Sequence, residues 1–390
     1  GSGDEPADGK NYRSYGMRLA LIALMLLIAL WPGRALGEEN TDKILDGLDV
    51  SGLQELQDET GGDLQVADLL GQLARGEMEL SPQNLIDQVG RLFWNEFTGL
   101  WPLAAALTAP VLLWAVLRQF KGGQGGISQA AGYVCYLITA LALLTIFAGQ
   151  IQRTKEAVDR VGRLTQNLFP ILMTLLSATG GAGLSGMLSP GAAAASAILT
   201  QLVQGAAMTI ISMAAILAVI GNLSPSLRLD GLFKLAKSCA NWLLGCLMVA
   251  FLGVMSVQGM LGSAYDSASV ETVRYAVDNL IPIVGGEVAD TLDVLISSAL
   301  LVKNAAGVTG LILLLQISLE PVLHLVAVML MLRVISALTE PVADGPVLSC
   351  MNQFSEVMRC LLVAIVCAAV LFMVLVGASL GAGNALARMR

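Results

Sequence analysis

The sequence predicts an all-α, polytopic helical membrane protein with an internal duplication and a small helical, exported N-terminal region. Three observations predict it. The 390 residues are 55% hydrophobic and 13% charged, with a mean hydropathy of +0.72, whereas soluble domains carry about 25% charged residues. Apolar runs long enough to cross a bilayer recur from Gly99 to the C-terminus. Finally, Asn167-Leu168-Phe169-Pro170-Ile171 returns as Asn279-Leu280-Ile281-Pro282-Ile283, an offset of 112, and Cys246-Leu247-Met248-Val249-Ala250-Phe251 returns as Cys360-Leu361-Leu362-Val363-Ala364-Ile365, an offset of 114. Collinear matches of this kind point to a duplication.

Taken in order, residues 1–16 are a polar extension, either natural or a cloning scar. Residues 17–37 read as a signal peptide: Met17-Arg18, the short apolar run Leu19 to Leu30, then Ala35-Leu36-Gly37 as a small-residue cleavage site. Residues 38–98 form an acidic helical region, with about fourteen acidic residues against Lys43, Arg75 and Arg91. Leu45, Leu48, Leu53 and Leu56 make one helical stripe. Leu64, Leu69, Leu70 and Leu73 make a second, and Ser81-Pro82 opens a third helix. So short a region buries little core by itself. It is expected to dock on a partner, on another copy or on the membrane surface.

Residues 99–149 supply two transmembrane helices joined by a loop containing Arg118 and Lys121, whose charge favours the cytoplasmic side. Residues 150–166 set Val158, Val161 and Leu164 against Arg153, Lys155, Arg160 and Arg163, the pattern of an interfacial helix. Membrane repeat 1 covers 150–262 and repeat 2 covers 263–390. Each copy offers a Pro-started segment (168–186; 280–302), a short segment (191–204; 305–319), a fuller one (205–223; 321–339) and a strong span (239–261; 356–380). If the first two elements form a re-entrant hairpin, each copy crosses twice and the protein has six spans. If the short and fuller segments fuse, the copies are inverted and there are eight.

Glycines interrupt or follow the Pro-started segments at Gly180-Gly181 and Gly285-Gly286, and such broken segments mark binding or conduction paths. Intramembrane ionisable residues add Lys303, with Asn304 beside it at an expected helix break, Asp293, and the pair Glu320 and His324 four residues apart. These nine residues are the candidate substrate or conduction path.

Several activities find no support in the residues. With a single histidine the HExxH zinc motif cannot form, and the six cysteines make no CxxC pair, so no metal or other cofactor is expected. Nor is there a nucleotide-binding glycine motif or a basic stripe for nucleic acid. Gly183-Leu184-Ser185-Gly186 matches the GxSG setting of rhomboid proteases, with His324 as the available base. A short motif in a Gly/Ser/Ala-rich stretch is non-specific, so no enzyme is expected. A secondary transporter with its site between two repeats is the alternative reading.

At Leu48-Asp49-Val50-Ser51-Gly52-Leu53, Ser256-Val257-Gln258-Gly259, Asn279-Leu280-Ile281-Pro282-Ile283-Val284-Gly285-Gly286 and Ser297-Ser298-Ala299-Leu300-Leu301-Val302-Lys303-Asn304-Ala305-Ala306-Gly307, the chain resembles the stage III sporulation protein AE family of endospore-forming bacteria. The resemblance implies a multi-pass protein of the mother-cell membrane around the forespore, working in a channel, or feeding tube, that joins the two compartments. It also implies partners: ring-forming proteins between the membranes, a secretion-type ATPase and a forespore membrane protein. Membrane lipid and further copies of the chain are expected contacts as well. No catalytic residue carries over.

Overall fold

The computed structural model describes residues 44–45, 47–60, 65–76, 82–120, 126–179, 185–186, 194, 197–198, 200–223, 229–280, 285–341 and 345–388; for 82–88, 114–120, 126–131, 258–280, 285–296 and 382–388 it describes the backbone alone. The extension, the signal-like segment, Gly180 and Gly181 lie outside these residues. Among the described residues the regular elements are all helical: α1 (Ser51–Glu59), α2 (Val66–Arg75), α3 (Pro82–Gly99), α4 (Trp101–Phe120), α5 (Gly126–Ala178), a π-turn (Val203–Ala207) leading into α6 (Met208–Leu223), α7 (Asp230–Leu280), α8 (Gly285–Thr339) and α9 (Gly345–Arg388).

Local chemistry sets the ends of the short helices. Asp49 accepts hydrogen bonds from the Ser51 backbone N–H (3.1 Å) and hydroxyl (2.5 Å), closing the entry to α1. Gly76 ends α2 at φ 71°, the left-handed conformation that only glycine adopts without strain. Downstream, apolar composition dominates. Among the described residues, six helices are long and apolar enough to cross a membrane: Val89–Leu113, Gly132–Ala178, Thr200–Leu223, Asp230–Val257, Ser297–Thr339 and Gly345–Gly381.

Contacts give the helix directions. The Cys135 thiol meets the Pro110 carbonyl, so α4 and α5 are antiparallel neighbours. Tyr136 donates to Val219 O (2.5 Å) and Gln204 Nε2 to Lys155 O (3.4 Å), so α6 runs against α5. Lys237 pairs with Glu356, and Cys367 meets Leu244 O further along, so α7 and α9 are parallel. Phe147 meets Phe354 edge-on at 6.4 Å. The six long helices therefore alternate in direction, as a chain crossing six times must. The helix ends at Phe120 and Gly126, at Leu223 and Asp230, and at Thr339 and Gly345 therefore lie at one end of the bundle. The hairpins α6–α7 and α8–α9 run in the same sense, the arrangement that two-crossing repeats require.

Four sequence expectations change here. Residues 150–166 are not a separate interfacial helix: they continue α5, with Val158, Val161 and Leu164 in the core. Pro170 does not start a segment, because α5 runs through it. Pro170 and Gln166 are exposed, so the carbonyl that proline leaves without a donor faces outward, while Leu168, Phe169, Ile171 and Leu172 are buried. Likewise 285–302, 305–319 and 321–339 form one 55-residue helix, α8, through Pro321. Gly285 and Gly286 begin this helix and do not interrupt one. The two copies thus differ where their sequence matches begin: Asn167 lies inside α5, whereas Asn279 and Leu280 end α7.

The fourth change concerns the acidic region, whose expected docking surface is supplied by the chain itself. Leu53, Leu56, Val66, Leu69, Leu70 and Leu73 are buried in the same apolar core as α5 and α8. Burial of these leucine and valine side chains, at about 1.5–3 kcal/mol each, accounts for their order without a separate domain.

At 1.5 Å per residue, α5 and α8 are about 80 Å long, against about 30 Å of hydrocarbon. Exposed apolar side chains mark the lipid-facing part: Tyr133, Leu137 and Leu141 on α5, Met213, Ile216 and Ile220 on α6, and Leu330, Val334 and Leu338 on α8. From Arg153 to Arg163 the surface of α5 is charged, and the exposed positions beyond, Gln166, Pro170, Thr174 and Ser177, are uncharged but carry no large aliphatic side chain; with the helix length, this places that half of the bundle beyond the bilayer, on the side of α1 and α2. Single cysteines at Ser226 and Ser267, separated by about 55 Å of α7, are expected to react with a membrane-impermeant thiol reagent from opposite sides. Labelling of both from one side would rule this topology out.

Candidate functional site

Where α5, α8 and α9 pack together, a few polar side chains, Ser298, Lys303, Thr309 and Ser379, are buried among apolar ones. Lys303, the expected helix-break residue, sits instead within α8 and is 0% exposed. The apolar neighbours Val302, Ala305 and Ala306 fix this burial, and its Nζ donates to the carbonyls of Ser379 (3.3 Å) and Leu380 (3.5 Å) on α9. No carboxylate lies within ion-pair distance of it among the described residues. Asn304 Oδ1, Ser298 Oγ and Thr309 Oγ1 are buried nearby in sequence without a protein hydrogen-bond partner. The amine thus meets only backbone carbonyls of α9. It lacks the paired acid that proton relay needs.

Glycine makes the helix contacts around it close. A Cβ on Gly307 would lie 2.7 Å from Leu380 Cδ2, and one on Gly310 would lie 2.1 Å from Leu168 Cδ2. The glycines of α8 therefore admit α9 and α5, the role small residues take between membrane helices. Gly285, Gly286 and Asp293 lie on the backbone of α8, earlier than this contact region.

Glu320 and His324 do not form the expected pair. Glu320 is exposed, and His324 Nδ1 lies 2.6 Å from Glu96 Oε2 on α3. The partner comes from a helix 228 residues away in sequence, so helical spacing could not reveal it. Ser185 is buried at 9% exposure, but the described histidine nitrogen is taken by Glu96. No group of three or more metal-binding side chains occurs among the described residues.

The acidic N-terminal helices answer the positive charge on the projecting part of α5. Arg163 forms a two-point contact with Glu59 (3.0 and 2.6 Å) and reaches Asp159 at 3.2 Å. Asn167 Nδ2 donates to Gly52 O at 2.8 Å. The Arg163 hydrogen bonds hold the Glu59 carboxyl below its ordinary value of 4.5. A depressed carboxylate stabilises the docked state above its unfolded pKa and loses that effect as pH falls through the folded one. Release of α1, read by hydrogen exchange over 51–59, is expected to rise only below about pH 4.5, and Glu59→Gln is expected to abolish that rise while loosening α1 at neutral pH.

A bundle of six long, apolar helices that alternate in direction, with glycine-tight contacts, defines a multi-pass helical membrane protein. A family model described as stage III sporulation protein AE matches residues 64–383, so the chain belongs to that family. It is 24% identical over 317 residues to "Stage III sporulation protein AE" of Bacillus subtilis (strain 168), covering 81% of this chain and 79% of that protein. No solved structure matches. Membership assigns the chain a role in sporulation.

Proposed function

We propose that the protein is a non-enzymatic membrane component of the sporulation channel, the feeding tube linking mother cell and forespore, acting as conduit or export-platform subunit. It sits in the mother-cell membrane around the forespore after engulfment. The observation that carries this reading is the projection of α5 and α8 beyond the lipid belt with α1 and α2 folded onto them. That projection offers a structured face to the space between two membranes, where ring-forming partners of a secretion assembly would stand. The helix ends at Phe120, Gly126, Leu223 and Asp230, with Arg118, Lys121, Arg228 and Lys234 at or near them in sequence, face the mother-cell cytoplasm in this reading, where a secretion-type ATPase would approach. A forespore membrane protein completes the path, and further copies of the chain can complete a pore. Side chains such as Leu164, Ala214, Phe354 and Leu361, all 0–1% exposed, fill the interior of one copy, so a conduit is expected between subunits.

The test is recovery of the ring-forming proteins with tagged protein from sporulating cells. Ser185→Ala is expected to leave both recovery and sporulation intact. A sporulation defect in Ser185→Ala with partner recovery unchanged would instead favour the protease, and substrate uptake into liposomes that fails in Lys303→Met would favour the transporter.

A further inference from the structure

We infer that the exposed aromatic face of α3 seats in the headgroup layer of the bilayer on the side of α1 and α2, with Trp94 at the border and Trp101 just inside it. The partner of this face is a phospholipid monolayer. The inference stands whether or not the protein is a channel subunit. α1 and α2 are covered by the chain itself, whereas α3 keeps one side uncovered: Trp94 is 62% exposed, Leu92 is 47% exposed, and Trp101 at the start of α4 is 64% exposed. The opposite side of α3 faces α8, where Glu96 meets His324.

Two separate contacts fix the height of this face. The Leu100 N–H donates to Phe97 O (3.2 Å) and the Ala104 N–H to Leu100 O (3.0 Å), so α3 leads directly into α4. The contact of Cys135 with Pro110 sets the register of α4 on α5. At equal helical rise Trp94, sixteen residues outward from Pro110, then stands level with Ile151. On the other flank Gly310 abuts Leu168, so His324, fourteen residues along α8, stands level with Thr154 and brings Glu96 to that height. Both registers place this part of α3 beside Gln152 and Arg153, where the exposed surface of α5 turns from apolar to charged. Trp101 lies about 10 Å deeper on the same helix face. The stripe continues through exposed Ala105 and Ala109 to Leu112, so it is continuous with the lipid-facing surface of α4.

Side-chain chemistry fits that boundary. An indole joins a flat apolar body to one N–H donor, and such rings collect where hydrocarbon meets headgroups. Trp94 stacks on Phe97 and Phe97 on Phe93, both at 6.2 Å, and Phe97 packs against the core. The bundle therefore supports the Trp94 ring from below. Arg91, exposed one turn further out, sets a cation at the level of the phosphates.

The test is tryptophan quenching by brominated phospholipids in vesicles holding the full chain. The share of each ring is the difference between wild type and Trp94→Phe or Trp101→Phe, single changes at exposed sites that keep an aromatic ring. Matched thermal unfolding checks that each variant folds. The Trp94 share should be quenched about twofold more by bromine at the headgroup end of the acyl chains than by bromine near the chain ends. The Trp101 share should not prefer the shallow bromine. Quenching of Trp94 by iodide in the water and by no brominated lipid would overturn the inference, as the mark of a face left in solvent. A Trp94 share that no quencher reaches would overturn it in favour of a protein cover, another copy or a partner. Strongest quenching of Trp94 from the chain ends, or a Trp101 share that is as shallow as that of Trp94, would overturn the order of depths.

Discussion

Gly310→Ala is expected to destabilise the folded protein by about 1–3 kcal/mol, the usual penalty for overpacking a filled core. The added methyl would stand 2.1 Å from Leu168 Cδ2 and 3.4 Å from Phe372. Leu168 is only 1% exposed, so its side chain has little room to turn away. Either α8 separates from α5, or Leu168 leaves its rotamer. Leu168→Ala alone costs about 2–5 kcal/mol through the cavity it leaves, but it removes the atom that the new methyl meets. The double variant should therefore lose clearly less than the two single losses added together. Thermal unfolding in detergent of all four proteins gives the coupling. Strictly additive losses would mean that α5 and α8 do not approach at this glycine.

Lys303 carries the second large effect, and the choice of substitution decides its sign. Lys303→Ala deletes a long, fully buried side chain and is expected to cost about 2–5 kcal/mol, as comparable large-to-small core changes do. Lys303→Met keeps most of the volume and removes the charge. Because the amine meets only the Ser379 and Leu380 carbonyls, which α9 occupies with its own helical bonds, removing the charge should be neutral or stabilising. Thermal midpoints should then rank methionine at or above wild type and alanine well below. If methionine falls as far as alanine, the ammonium itself holds α8 to α9. If methionine folds normally but sporulation stops, the charge acts in function and a scaffold role for this residue is wrong.

These two residues show what sequence made legible. Lys303 stands out because an amine amid Leu, Val and Ala is costly, and the structure does bury it. The expected break around it does not form, because glycine at 307 and 310 reads locally as backbone freedom. In α8 the same glycines give room for neighbouring helices, and glycine composition alone cannot separate these uses. Pro170 and Pro321 mislead in the same way: long-range burial outweighs a local cost of about 3 kcal/mol. Apolar run length made the long, apolar helices legible but left six and eight spans both open. By contrast, Glu96 with His324 and Glu59 with Arg163 join residues more than 100 positions apart, which no local period encodes. One signal for the second pair was available: an acidic segment of 38–98 and a basic stretch of 153–163 predicted for the same side of the membrane are each other's natural cover.

The duplication belongs between these cases. Matching segments left parallel and inverted copies both open; the contacts of Lys237 with Glu356 and Cys367 with Leu244 make the hairpins α6–α7 and α8–α9 run the same way. The copies diverge in their first elements, where α8 is continuous and its counterpart in repeat 1 ends at Ala178.

The channel role is tested most directly by passage between compartments. A small, membrane-impermeant fluorescent tracer formed in the mother cell after engulfment should reach the forespore in wild-type cells and in Ser185→Ala, and should fail to reach it when the protein is absent. Transfer that continues undiminished without the protein would contradict a channel role.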